Sequence, residues 1–110
     1  MVNYSARSLD ATFRALADPT RRAMLSRLTE GEFTVTELAD PFPVTLPAIT
    51  KHLGVLKDAG LVTQTREGRI RRCRLEPEPL QEAGAWIAAT RRFWNERLDA
   101  LAAYLEGTEK

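Results

Sequence analysis

The sequence predicts a mainly α-helical domain with one small β-hairpin, its elements in the order α-α-α-α-β-β-α. Apolar residues recur at helical spacing over most of the chain, and proline and glycine separate these stretches. Two short alternating segments flank Glu67-Gly68. A chain of 110 residues has the length of one domain with one core, so residues 1–110 are predicted to be a single domain.

The first two predicted helices meet at Asp18-Pro19. The first covers residues 8–17 and begins at Ser8, a good N-cap residue. Asp18 is a second good N-cap, and proline is favoured at the first helical position, so the next helix covers residues 19–29. The apolar stripe of the first helix consists of Leu9, Phe13 and Leu16.

Two further helices, separated by a proline-containing turn, are predicted between residues 34 and 60. The sequence TVTE at residues 34–37 has the pattern of a capping box and begins a short helix that ends before Pro41. Thr45 can cap a longer helix that ends near Gly60, a typical left-handed terminator. The apolar side of this longer helix consists of Leu46, Ile49, Leu53 and Leu56.

The remaining elements are a hairpin and a long helix. Residues 61–66 and 69–75 alternate around the glycine turn and predict two antiparallel strands. Pro77 and Pro79 break the chain, and a long helix then covers residues 79–106. A short helix, a turn, a second helix and a basic hairpin together indicate a winged helix-turn-helix. We assign residues 34–58 to the helix-turn-helix and residues 61–75 to the wing.

Basic side chains are concentrated in the predicted recognition helix and wing. Residues 45–75 contain seven basic and two acidic side chains, although the whole chain has a net charge of +1. Such a single-sign cluster indicates an anionic partner, here double-stranded DNA. An acidic protein surface is the alternative partner, and the domain would then be a protein-interaction module.

The second helix of a helix-turn-helix enters the major groove, and its N-terminal residues reach base edges. Short side chains at its start allow a close approach, while lysine and arginine reach phosphate or guanine. Among the wing arginines, Arg69 and Arg71 are favoured and Arg74 is expected to be structural. His52 is either a DNA contact or a hydrogen-bonded surface residue. The predicted DNA contacts are Thr45, Pro47, Ala48, Thr50, Lys51, His52, Arg66, Arg69 and Arg71.

Three segments resemble the ArsR/SmtB family of bacterial winged-helix repressors. They are DPTRRAMLSRL, TVTELADPFPVTLPAITKHLGVLKDAGLV and REGRIRRCRL, and the resemblance covers about residues 9–75. Its most specific part is Thr50-Lys51-His52-Leu53, followed by Leu56 and by AGLV at residues 59–62. The resemblance implies a homodimeric transcriptional repressor that binds a palindromic operator.

Metal-sensing members of that family use cysteines in the helix before the recognition helix, or histidine and acidic residues in the last helix. In the helix before the recognition helix, this chain has the sequence TELAD at residues 36–40, without cysteine. Its last helix contains no histidine. The whole chain contains one cysteine, Cys73, and one histidine, His52. We therefore predict no metal site and no cofactor, and the inducer is unknown.

The sequence leaves open two other mechanisms by which the repressor could be released from DNA. An organic ligand could bind the aromatic stripe of Trp86, Phe93, Trp94 and Tyr104, or Cys73 could be oxidised. Arg72 and Arg74 would favour oxidation if they lie close enough to lower the pKa of the thiol.

Neither a membrane-spanning run nor a signal-peptide core is present, so we expect a cytoplasmic protein. The sequence has no nucleophile–base pair, paired-carboxylate motif or phosphate loop typical of an enzyme.

The last helix is predicted to form a dimer together with the first. It has more apolar residues than a small domain needs to cover its own core, and they form two neighbouring stripes. Residues 1–17 and 79–106 are therefore assigned to dimerisation. The predicted interface consists of Leu9, Phe13, Leu80, Ile87, Trp94, Leu98, Leu101 and Leu105.

Overall fold

The computed structural model describes residues 2–108 of the chain; residues 1, 109 and 110 of the predicted domain lie outside this part. The predicted fold class is confirmed, with one strand more than expected. The elements are α1 (Val2–Leu16), α2 (Pro19–Leu28), β1 (Phe33–Thr34), α3 (Val35–Ala39), α4 (Leu46–Asp58), β2 (Val62–Glu67), β3 (Ile70–Leu75) and α5 (Glu78–Thr108).

The start of α1 differs from the prediction. The helix begins at Val2, so Ser8 lies inside it and is not its N-cap. The Ser8 hydroxyl instead donates a hydrogen bond of 3.3 Å to Glu82 of α5. Residues 2–7 contain neither proline nor glycine, so nothing in their sequence stops the helix from extending towards the N-terminus.

The junction between α1 and α2 is held by the first turn of α2. As predicted, Asp18 is the N-cap, and its carboxylate accepts a hydrogen bond of 3.0 Å from the Arg21 backbone N–H. The Arg21 side chain turns back to α1, where Nε donates to the Ala15 carbonyl at 2.7 Å and Nη2 donates to the Arg14 carbonyl at 3.0 Å. One arginine therefore donates to two carbonyls in the last turn of α1, of which that of Arg14 also accepts from the Ala17 backbone N–H at 3.2 Å.

The sheet has three strands in the order β1-β3-β2, whereas the sequence predicts only two. β1 pairs antiparallel to β3 with Phe33 opposite Cys73 and Thr34 opposite Arg72. A strand of two residues is too short to show alternation, which explains why the sequence does not reveal it. Thr34 also caps α3 through the predicted capping box with Glu37.

The core lies between the four N-terminal helices and the inner face of the sheet. Its fully buried members include Met24 of α2, Leu38 of α3, and Ile49 and Leu56 of α4. Cys73 of β3 is also fully buried and belongs to this cluster. Leu46, predicted on the apolar side of α4, is instead 49% exposed because it lies in the first turn, outside the packed stretch.

α5 extends well beyond the core that it starts from. Leu80 packs against the core and Ala83 is buried, but the large apolar residues that follow are about half exposed. The molecule is correspondingly elongated, with extents of 73 × 35 × 21 Å. These exposed residues are Trp86, Ile87, Phe93, Trp94, Leu98, Leu101, Tyr104 and Leu105. None of the helices between residues 2 and 108 is both long and apolar enough to cross a membrane.

Candidate nucleic-acid interface

The recognition helix α4 has a packed side and an open side. Ile49, Leu53 and Leu56 are buried in the core, which fixes the helix to the domain. The side chains of Thr50 and Lys51 are exposed and form no hydrogen bond or ion pair with other side chains in the described part of the chain. The open side therefore presents a hydroxyl and an ammonium group that are available to another molecule.

The first turn of α4 is shaped by a cap and a proline. The Thr45 hydroxyl accepts a hydrogen bond of 3.3 Å from the Ala48 backbone N–H, and Pro47 occupies the first turn, where it loses no helical bond. Thr45 and Pro47 are exposed, and Ala48 is half-buried. Leu46 adds an exposed aliphatic group of the kind that contacts the methyl group of thymine. The sequence analysis did not include Leu46 among the candidate contacts.

His52 lies against the first turn of α2. Its Nδ1 is 3.4 Å from Arg21 Nη1 and 3.9 Å from the Asp18 carboxylate. Because a guanidinium can only donate, this contact is a hydrogen bond in the tautomer whose Nδ1 carries no proton. The backbone N–H of Arg21 also holds the pKa of Asp18 below its ordinary value, so this carboxylate stays ionised beside the ring. His52 therefore has a structural environment that Lys51 lacks.

The wing has an inner face towards α4 and an outer face. Val62 and Cys73 are buried on the inner face, and the same alternation continues to Arg66 and Arg71 near the tip. These two arginines are directly opposite each other in the register of β2 and β3. Arg69 is exposed at the turn, next to Gly68 with its φ of 62°. The three predicted wing contacts therefore lie together at the tip.

The outer face holds the arginines that the sequence analysis did not assign to DNA. Arg74 forms an ion pair of 3.1 Å with Glu76, whose carboxylate also accepts a hydrogen bond of 2.8 Å from Thr63. These bonds hold the pKa of Glu76 below its ordinary value. Arg72 lies opposite Thr34 of β1, towards the acidic Glu37.

A basic cleft separates the end of α4 from the wing. It has a volume of about 300 Å³ and is lined by Lys57, Gln64, Thr65, Arg66 and Arg71. Lys57 belongs to the basic cluster of residues 45–75 but is not among the DNA contacts predicted from the sequence. A spacing of seven residues from Thr50 places Lys57 on the same side of α4, and this is the signal by which it can be recognised.

The cysteine and histidine are not assembled into a metal site. Within residues 8–107, no cluster of three or more His, Cys, Asp or Glu side chains is arranged to hold a metal ion. Burial raises the pKa of the Cys73 thiol, and the charges of Arg71 and Lys57 offset only part of this increase. Strand alternation places Arg72 and Arg74 on the outer face, so they do not activate the thiol as the sequence suggested.

Comparison with known proteins gives consistent matches. A family model described as a helix-turn-helix domain matches residues 16–65. The chain is 41% identical over 100 residues to the HTH-type transcriptional regulator Rv2034 of Mycobacterium tuberculosis, covering 91% of both chains. It is 33% identical over 79 residues to the transcriptional repressor SdpR of Bacillus subtilis, covering 72% of this chain and 88% of SdpR. The crystal structure of an ArsR family transcriptional regulator matches with a TM-score of 0.77 and 44% identity, covering 82% of this chain and 93% of that one.

The matches extend beyond the helix-turn-helix. An identity of 41% over 91% of the chain includes the wing and parts of the flanking helices as well. The proteins matched are DNA-binding transcriptional regulators and not enzymes. The chain belongs to the ArsR/SmtB family of winged helix-turn-helix transcriptional regulators.

Proposed function

We propose that this DNA-binding regulator is a homodimeric repressor that binds a palindromic operator and does not respond to metal. The observation that carries the proposal is the open side of α4, where the side chains of Thr50 and Lys51 are exposed. In the proposed complex, the first turn of α4 lies in the major groove. Arg69 and Arg71 contact the adjacent backbone or minor groove.

The apolar face of α5 supports a dimer. A monomer in water would expose eight large apolar residues along this one helix, and large exposed apolar patches mark interaction sites. Phe13 of α1 stacks edge-on against Trp86, with ring centroids 5.8 Å apart, and so extends the same surface. Leu80 packs on its own core, so we assign the interface to the other predicted residues of α1 and α5. A two-fold dimer reads two identical half-sites in opposite directions, which makes the operator a palindrome.

The chemistry of the available donors supports a metal-independent repressor. A thiol must lose its proton to bind a transition metal, and burial makes this harder for Cys73. The Nδ1 atom of His52 is already used by Arg21. No group of three or more His, Cys, Asp or Glu side chains among residues 8–107 is placed to hold a metal ion, and carboxylates alone suit hard cations better than transition metals.

Substitution of the open side of α4 and of the wing tip tests the proposal. We expect Lys51→Ala and Arg71→Ala each to weaken operator binding by roughly 1–2 kcal/mol, about fivefold to thirtyfold, because each removes a charged contact. Both variants should remain dimers, since neither residue lies on α1 or α5. Arg74→Ala is the matched control, because Arg74 is a wing arginine that is already paired with Glu76.

Operator affinity is measured by fluorescence anisotropy, and oligomeric state by sedimentation velocity. The contact assignment would be wrong if Lys51→Ala and Arg71→Ala both bind the operator as tightly as Arg74→Ala does.

A further inference from the structure

We propose that the cleft between the C-terminal turn of α4 and the inner face of the wing binds a DNA backbone phosphate, with Lys57 as an additional contact residue. The proposal rests on the proposed function, because it concerns the same complex with DNA. It adds a site that neither the N-terminal half of α4 nor the wing tip provides alone.

The cleft has the chemistry of an anion site. Three cationic side chains line it, Lys57 from α4 and Arg66 and Arg71 from the wing. The amide of Gln64 and the hydroxyl of Thr65 line the same space and add neutral hydrogen-bond donors. Arginine binds phosphate through its planar fork and lysine binds it as a point charge. The volume of about 300 Å³ leaves room for a phosphate group and its ester oxygens.

The positive charge in the cleft is not neutralised by the protein. Among residues 8–107, Arg74 forms an ion pair with Glu76 and the Asp18 carboxylate lies beside His52, and neither carboxylate reaches the cleft. Arg66 and Arg71 are directly opposite each other on neighbouring strands, an arrangement that destabilises a sheet when the charges are alike. An anion held between these side chains would relieve the repulsion, and no ion pair among residues 8–107 does so.

The position of the cleft favours DNA over a free phosphate ion. The C-terminal end of a helix carries a partial negative charge, which weakens the binding of a small isolated anion beside it. A duplex brings a continuous line of phosphates, so one contact in the cleft is added to those at α4 and the wing tip. Lys57 lies two turns after Thr50 on the same side of α4. A DNA strand that passes between α4 and the wing therefore meets the cleft.

The salt dependence of DNA binding by Lys57→Met tests the site. Loss of one phosphate contact lowers the slope of log affinity against log salt by about 0.9. Between about 50 and 200 mM salt, the DNA affinity of both proteins falls, and the factor by which it falls should be roughly 3.5 times smaller for the variant than for the wild-type protein. A phosphate contact carries no sequence information, so the change should be the same on the selected operator and on an unrelated duplex.

Arg74→Met is the control, since it removes one positive charge from the outer face of the wing, where Glu76 already pairs with it. Lys57 is exposed, so its substitution should leave the thermal unfolding midpoint unchanged. If the wild-type protein binds its operator and the slope for Lys57→Met equals that for Arg74→Met, the phosphate site is wrong and the proposed function stands. If the wild-type protein prefers no duplex sequence at any salt concentration, the proposed function itself fails.

Discussion

His52 has a hydrogen-bonding neighbour that is distant in sequence. Periodicity places this residue on α4 but leaves open whether it contacts DNA or a surface partner. Arg21, on another helix, comes within 3.4 Å of its Nδ1 and provides a partner. Sequence spacing carries no information about such a contact, because it depends on how α2 and α4 pack. Lys51, the next residue along the helix, keeps an open environment, and its assignment to DNA remains a prediction.

Gly54 offers a test of the geometry of α4. It lies inside the helix without a positive φ, and an added Cβ would have no neighbouring heavy atom within 4 Å. Glycine inside a helix is less stable than alanine, so we expect Gly54→Ala to raise the free energy of unfolding by about 0.5–1 kcal/mol. Urea denaturation of the protein measures this change.

Gly60 is the matched control for Gly54. Its φ of 75° lies in the left-handed region that alanine rarely adopts. Gly60→Ala should therefore lower the free energy of unfolding, although it makes the same change of side chain. A destabilised Gly54→Ala variant would show that this part of α4 does not have the described conformation or surroundings.

The existence of α5 could be predicted from the sequence, but which of its apolar residues the domain buries could not. Its existence follows from a long apolar periodicity, and its bounds of Glu78–Thr108 are within two residues of those predicted. The sequence cannot show how many apolar residues of α5 are buried against the core of the same chain. In the structure, Ala83 is buried, whereas Trp86, Trp94 and Leu101, which follow it, are about half exposed.

A charged substitution on this face of α5 tests the proposed dimer. We expect Trp94→Asp to convert the proposed dimer to a monomer at micromolar concentration, because the substitution would bury an unpaired carboxylate in an apolar interface. Asn95→Asp is the control, since residue 95 adds the same charge on the polar side of the helix. Sedimentation equilibrium measures both variants, and a Trp94→Asp protein that stays dimeric would contradict the proposed interface.

Elements defined by pairing are harder to predict than elements defined by periodicity. The hairpin of β2 and β3 is predicted because a glycine turn joins two alternating segments. β1 has two residues and exists only through its register with β3, where Phe33 faces Cys73. For the same reason the sequence does not reveal that Arg66, Arg71 and Lys57 share a cleft, since these residues come together only when the wing packs on α4.

At the scale of the whole molecule, two surfaces are separated along an elongated body of 73 × 35 × 21 Å. The basic surface of α4 and the wing belongs to the compact part of the domain, and the apolar face belongs to the projecting part of α5. In the proposed dimer, this separation would let the apolar face join two chains while each chain presents its own recognition helix. In a two-fold dimer, the two recognition helices would read half-sites about 34–36 Å apart, one turn of DNA.

The most direct test of the proposed homodimeric, metal-independent repressor is to select the duplexes that the purified protein binds from a random DNA pool, with EDTA present throughout. We predict enrichment of an inverted repeat whose half-site centres are about 34–36 Å apart. Enrichment of no sequence, or of a single site without a repeat, would contradict binding by a symmetric dimer to a palindromic operator.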